Sequence, residues 1–192
     1  MLLQDDTDNL GQTERADIIA QLPSLDGMEV LELAAGIGRY TTHLAHVASH
    51  VTAVDFVERF LEQNRKATVQ LNNVSYCYAD VMDVAFEPES FDFVFINWLF
   101  MYLGDQQMLL LRDKICQWTR IGGYVFFRES CSRGAFGGLY SGDNPTRYRL
   151  DSEYTRLFDD GFGLIRQGVV KVYEERFNRA NQCYWLFQRV IW

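Results

Sequence analysis

A chain of 192 residues with 48% hydrophobic content can bury a sizeable core, yet it is too short for two ordinary domains. Its net charge of -8 argues against a nucleic-acid partner, whose phosphates need clustered Lys and Arg. No run reaches about 18 apolar residues, and MLLQDDTDNL carries acids where a secretory signal would be basic, so neither membrane insertion nor export is expected and a cytoplasmic location is.

In chain order, residues 13–22 (TERADIIAQL) place Ile18, Ile19 and Leu22 on one face of a predicted helix that Pro23 stops. Val30, Leu31 and Leu33 read as a buried parallel strand around Glu32. The following turn packs Ala34, Ala35, Gly36 and Gly38 around Ile37, and small residues let a ligand lie against backbone. Amphipathic sequence from Ile37 to Val47 then supplies a helix N-terminus facing that turn, suited to an anionic group. A second strand, Val51 to Val54, ends in Asp55, about 20 residues past the glycines, where a carboxylate can hold both hydroxyls of a ribose.

Helical spacing continues through Val57, Phe60, Leu61, Thr68 and Leu71, with a charged face between them. A third strand, Val74 to Tyr78, ends in Ala79-Asp80-Val81, and a fourth, Phe91 to Asn97, is nearly all apolar before Trp98. Met108, Leu111, Ile115 and Trp118 mark a helix over 105–119, broken by Gly122-Gly123, and a fifth strand runs from Tyr124 to Arg128. Residues 132–146, rich in Gly and polar side chains, read as a long loop of the kind that closes sites, followed by a short helix over 151–158. Two β-rich runs, Gly163 to Phe177 and Gln182 to Ile191, flank Asn178–Asn181 as a predicted hairpin. The expectation is one α/β domain over residues 1–192, with a mostly parallel seven-stranded sheet and an antiparallel C-terminal hairpin.

The glycine turn narrows the ligand. Reading from Gly36, G-x-G-x-x is completed by Thr41 rather than the third glycine of a dinucleotide site, and the Gly-Lys-Ser/Thr of a phosphate loop is absent. Glu32 followed by A-x-G-x-G resembles the first motif of class I methyltransferases that use S-adenosylmethionine (SAM), and three acids, Glu32, Asp55 and Asp80, close or punctuate successive apolar runs. Cys77, Cys116, Cys131 and Cys183 show no C-x-x-C spacing and read as reduced thiols, while His43, His46 and His50 do not share one element, so no metal site is expected.

Around the ends of strands four and five, Trp98 and Tyr102 are four apart and, on a helix, would share a face beside the glycine turn. Arg147 and Arg149, with Tyr148 between them, concentrate positive charge in an acidic chain and suit a phosphorylated small molecule.

The segments VLELAAGIGRYT, VTAVDFVERFLEQN, INWLFMYL, GGYVFFRESC, NPTRYR and WLFQRV together resemble the N-terminal methyltransferase domain of plant and nematode phosphoethanolamine N-methyltransferases, over about residues 10–192. The resemblance implies a class I SAM-dependent methyltransferase fold. It also implies a SAM site at Glu32, Ala34, Ala35, Gly36, Gly38, Asp55, Phe56, Asp80 and Val81 with Asn97 at its rim. Trp98, Tyr102, Arg147, Tyr148 and Arg149 would hold the phosphobase. The implied reaction is the first methylation of phosphoethanolamine, on the way to phosphocholine, with Tyr102 guiding the proton that the substrate amine must lose.

Two departures carry expectations. The family usually has Gly at Ala34, and its members carry an aromatic, acidic segment that lids the site from upstream. MLLQDDTDNLGQT has no aromatic residue, so the site is expected to be open on the side facing the N-terminus, with slow turnover, and a single methyltransferase domain, without the second one of many relatives, is expected. The alternatives are a methyltransferase of the same fold acting on another small molecule, and a lidless relative that binds SAM without turnover.

Overall fold

The computed structural model describes residues 4–132 and 146–190, with backbone alone for residues 4–9. Its pivot is β1 (Glu29–Leu33), which pairs in parallel with β2 (His50–Asp55), Val30 opposite Val51, and with β4 (Phe91–Asn97), Val30 opposite Phe93. Outside these lie β3 (Val74–Tyr78), parallel to β2, and β5 (Thr119–Ser130), parallel to β4. The last two, β6 (Phe162–Val169) and β7 (Gln182–Arg189), pair antiparallel to each other, and β7 pairs antiparallel to β5. Among the described residues the sheet thus has seven strands in the order β3-β2-β1-β4-β5-β7-β6. The chain runs outward from β1 to β3 and then returns to place β4 on the opposite flank. In an open α/β sheet that reversal leaves a crevice beyond the carboxyl ends of β1 and β4.

Strand alternation assigns the two faces. Leu31, Leu33, Val94, Ile96, Val125 and Phe127 face the layer built by α4 (Asp105–Trp118) and α5 (Asp151–Arg156), where Leu111, Ile115, Tyr154 and Phe158 are buried. Val30, Val51, Phe93, Phe95 and Phe126 face Ile18 of α1 (Gln4–Ile19) and Leu44 of α2 (Thr41–Ala45). Rings stack within both layers, Phe127 on Trp185 at 4.9 Å and Phe95 on Phe126 at 5.4 Å, and burying each such side chain contributes about 1.5–3 kcal/mol. The helix after β2, α3 (Glu58–Ala67), buries Leu61 and Asn64.

Three boundaries depart from the sequence reading. The helix expected over residues 13–22 starts by Gln4 and ends at Ile19. Gly122 and Gly123 sit inside β5, not in a helix-ending break: the helix stops at Trp118, and the pairing of β4 with β5 shifts register between Phe91 and Phe93. A Cβ at Gly123 would lie 2.8 Å from the Asp92 carbonyl oxygen, so close backbone approach is what requires glycine there. The run read as continuous strand from Gly163 to Phe177 is strand only to Val169, and Lys171–Phe177 form helix α6, so β6 and β7 are joined through a helix and not a four-residue turn. The helix starts there because the Val172 N–H donates to Asp17 Oδ2 of α1 at 2.9 Å, a tertiary cap that β-branched propensity cannot reveal.

Candidate active site

Each sequence-predicted acid stands where the reversal of strand order puts it. Asp55 closes β2, and its carboxylate accepts the Gly36 N–H on Oδ2 at 2.8 Å and the Val57 N–H on Oδ1 at 2.9 Å, lacing the glycine turn to the start of α3. Asp80 follows β3 and accepts the Met82 N–H at 2.9 Å. Glu32 is on the core-facing side of β1 and buried; it accepts from the Thr41 hydroxyl at 2.5 Å, which in turn accepts from Asn64 Nδ2 at 2.7 Å. Burial, opposed by the Thr41 hydrogen bond and assisted by Asp55, pushes the Glu32 carboxyl up to about 8.

The turn itself explains its composition. Ala34, Gly36 and Gly38 have φ values of 57°, 55° and 89°. A Cβ on Gly36 would meet nothing within 4 Å, because the position faces the crevice, whereas one on Gly38 would come within 2.5 Å of Asn64 Oδ1. Gly38 therefore serves the packing of α3, and it is not among the described residues that line the crevice.

The crevice has two lobes joined at Ala34, Gly36, Phe60 and Trp98. The larger, about 590 Å³, is lined by Asp55, Phe56, Asp80, Val81, Leu99, Tyr102 and Gln107 among others. The smaller, about 380 Å³, takes in Glu32, Ala35, Arg39, Tyr40, Phe95 and Asn97. The Asn97 Oδ1 is buried with no hydrogen-bond partner among the described residues.

Trp98 and Tyr102 both line the larger lobe, but not as neighbours on a helix. Trp98 has φ 59° and the turn that follows, Phe100–Tyr102, is a single 3-10 turn. That turn is set by Glu129, which sequence reasoning did not assign: its buried carboxylate accepts the N–H groups of Leu99 (2.8 Å), Phe100 (2.7 Å) and Met101 (3.3 Å). Burial pushes the Glu129 carboxyl up to about 7 in spite of those three bonds. Trp98 is further held by its indole N–H to Gln182 Oε1 at 3.3 Å and by Arg128, whose Cζ lies 3.6 Å from the ring centroid. The signal for these supports was the charged pair Arg128-Glu129 at the end of an otherwise apolar strand.

The Arg-Tyr-Arg segment divides. Arg149 is turned inward: Nε and Nη2 donate to Asp105 Oδ1 at 3.1 and 2.6 Å, Nη1 to the Phe100 carbonyl at 2.9 Å and Nη2 to that of Leu103 at 2.8 Å. With its side chain 7% exposed, it braces the Tyr102 turn and does not present its fork to a phosphate, contrary to the sequence expectation. Arg147 and Tyr148 are exposed, and the Arg147 N–H donates to the Met101 carbonyl at 2.6 Å, so both are pinned beside the same turn. The Tyr102 phenol is held above its ordinary pKa by burial first, then by Glu129 and Tyr148. Most of the loop predicted over 132–146 lies outside the described residues. On the N-terminal side, Glu14 of α1 accepts from Arg39 of the smaller lobe at 2.9 Å. Among the described residues no helix is long and apolar enough to cross a membrane, and no three His, Cys, Asp or Glu side chains cluster as metal ligands.

Phosphoethanolamine N-methyltransferase 3 of Arabidopsis thaliana is 40% identical over 208 residues, covering 99% of this chain and 41% of the relative. Phosphoethanolamine N-methyltransferase 1 of Caenorhabditis elegans is 35% identical over 99% of this chain and 44% of the relative. The structure of Haemonchus contortus phosphoethanolamine N-methyltransferase 1 in complex with phosphoethanolamine and S-adenosylhomocysteine superposes with a TM-score of 0.87 at 35% identity, over 95% of this chain and 43% of that one. This chain therefore spans about two-fifths of the length of these relatives. Residues 31–127 match the methyltransferase-domain family model, half of the chain and the half that builds the crevice, so the chain belongs to that family and has the class I SAM-dependent methyltransferase fold.

Proposed function

We propose that the chain is a SAM-dependent N-methyltransferase that converts phosphoethanolamine to its monomethyl form, the first step towards phosphocholine. The observation that carries this reading is the pair of carboxylates, Asp55 and Asp80, at consecutive strand ends of a crevice placed by the strand reversal, in a chain 40% identical to a phosphoethanolamine N-methyltransferase. Asp55 would take the ribose hydroxyls, Asp80 and Val81 the adenine edge beside Phe56, and Glu32, Ala34, Ala35 and Asn97 the amino-acid end. The fit is physical: the orphaned Asn97 Oδ1 suits an ammonium donor, and the open face of Gly36 admits a ligand against backbone. When bound, SAM supplies an already activated methyl group, so the protein's part is positioning and exclusion of water.

Trp98 and Tyr102 form the acceptor side of the larger lobe. A phenol held above its ordinary pKa is neutral at physiological pH, so Tyr102 accepts an N–H on its oxygen and orients the amine, and the proton the amine loses passes to solvent water, which this exposed position admits. The Trp98 and Tyr102 faces favour the cationic product. Arg147 and the Tyr148 hydroxyl bind the phosphate, and Arg149 fixes the segment that carries them.

Kinetics of the Arg147→Ala, Tyr148→Phe double variant test the acceptor assignment. KM for phosphoethanolamine should rise at least about tenfold, the scale of a lost charge-assisted bond, with SAM affinity within twofold of the unaltered chain. An unchanged KM would place the phosphate elsewhere.

A further inference from the structure

Glu14 sits on α1 with its side chain 3% exposed, and three donors converge on it: Arg39 Nη2 at 2.9 Å, Arg128 Nη2 at 2.7 Å and the Tyr173 hydroxyl at 3.3 Å. A single buried carboxylate thus bridges two guanidinium groups, Arg39 and Arg128. Arg128 spends its face on Trp98 and is fully buried. Arg39 is different, because its side chain is 37% exposed, lines the lobe, and is the sole basic side chain among the described residues that line either lobe. The same lobe is lined by Glu32 and by Asn97, whose buried Oδ1 has no hydrogen-bond partner among the described residues and can accept. The one lobe therefore offers both a cation and an acceptor, the complement of a zwitterion, and the amino-acid end of SAM is a zwitterion.

We propose that Arg39 binds the carboxylate of the cofactor's amino-acid end and that Glu14 is the positioning residue that aims its guanidinium. This rests on the cofactor reading above. The planar fork of Arg39 suits a carboxylate, and with Nη2 fixed by Glu14 less side-chain freedom is lost on binding. Gly11 of α1 supports the arrangement: a Cβ there would lie 3.4 Å from Arg39 Nη2, so the helix passes directly over the guanidinium.

Calorimetry with two ligands tests the assignment: S-adenosylhomocysteine, which has the amino-acid end, and 5′-methylthioadenosine, which lacks it. Arg39→Gln should weaken S-adenosylhomocysteine about tenfold or more and leave 5′-methylthioadenosine within twofold. Glu14→Gln should weaken S-adenosylhomocysteine in the same direction, and should have almost no further effect in the Arg39→Gln background, since it acts through that side chain. An unchanged affinity in Arg39→Gln, an equal loss for both ligands, or additive losses in the double variant would each overturn the proposal. If Glu14→Gln does not fold, because Arg128 is left buried without its counterion, the two-ligand comparison in Arg39→Gln decides alone. Failure of the unaltered chain to bind S-adenosylhomocysteine would overturn the cofactor reading, and this assignment with it.

Discussion

Ala34 turns the corner at the end of β1 with φ 57°, a left-handed conformation that costs an L-residue with a Cβ about 1 kcal/mol or more. This is the position at which the resembled family usually has glycine, and the backbone gives the reason. Ala34→Gly should raise the melting temperature by about 2–4 °C for a domain of this size, with SAM affinity retained or improved; a lower melting temperature would show that the turn is not strained. Asp55 carries a second residue-scale expectation. Its carboxylate is legible from sequence as a strand-terminal acid, but its bonds to the Gly36 and Val57 N–H groups are not, because they depend on how the turn closes in space. In Asp55→Ala, SAM affinity measured by calorimetry should fall by about 1.5–3 kcal/mol, and an unchanged affinity would remove the assignment. Arg149 shows the limit of residue-scale reading. Its position beside Arg147 suggests a phosphate clamp, while its actual partner, Asp105, lies 44 residues earlier in the chain and no local pattern announces the pair.

At the scale of elements, β1, β2, β3 and β4 were readable because each is a short, largely apolar run followed by a break signal: the Gly36 and Gly38 turn after β1, Asp55 closing β2, Asp80 after β3 and Asn97 closing β4. The helix α6 was not, since Val, Tyr and Phe argue for strand and only the contact with Asp17 of α1 decides for helix. The polar chain from Glu32 through Thr41 to Asn64, which ties β1, α2 and α3 together, was also hidden apart from Thr41 standing where a third glycine would be. It has a consequence for pH. The folded Glu32 carboxyl, at about 8, keeps a proton that the unfolded chain, with its carboxyl near 4.5, releases. Its contribution to stability is therefore fully present below the unfolded value and is lost as pH rises through about 8. Thermal melts at pH 6 and pH 9 should show a larger drop for the unaltered chain than for Glu32→Gln, which has no proton to lose, and equal drops would mean that Glu32 is ionised throughout.

For the whole molecule, function follows from topology before it follows from any one side chain. The return of the chain from β3 to β4 opens the crevice, Asp55 and Asp80 reach it from one flank, and Trp98 and Tyr102 reach it from the other through a turn held by Glu129. The side proposed to hold the cofactor is built from elements near in sequence, so its strand-end acids and glycine turn could be located there. The side proposed for the acceptor joins β4, β5 and residues 146–150, so only its residue types could be foreseen. The central claim is that this arrangement transfers a methyl group to a phosphorylated amine. It is tested most directly by incubating the chain with SAM labelled in its methyl group and, in separate reactions, phosphoethanolamine or ethanolamine, then separating the products. The account predicts label in monomethyl phosphoethanolamine and at least about tenfold less transfer to ethanolamine, whose missing phosphate forfeits the bonds from Arg147 and Tyr148. No label in the phosphoethanolamine product, or equal transfer to both amines, would contradict it.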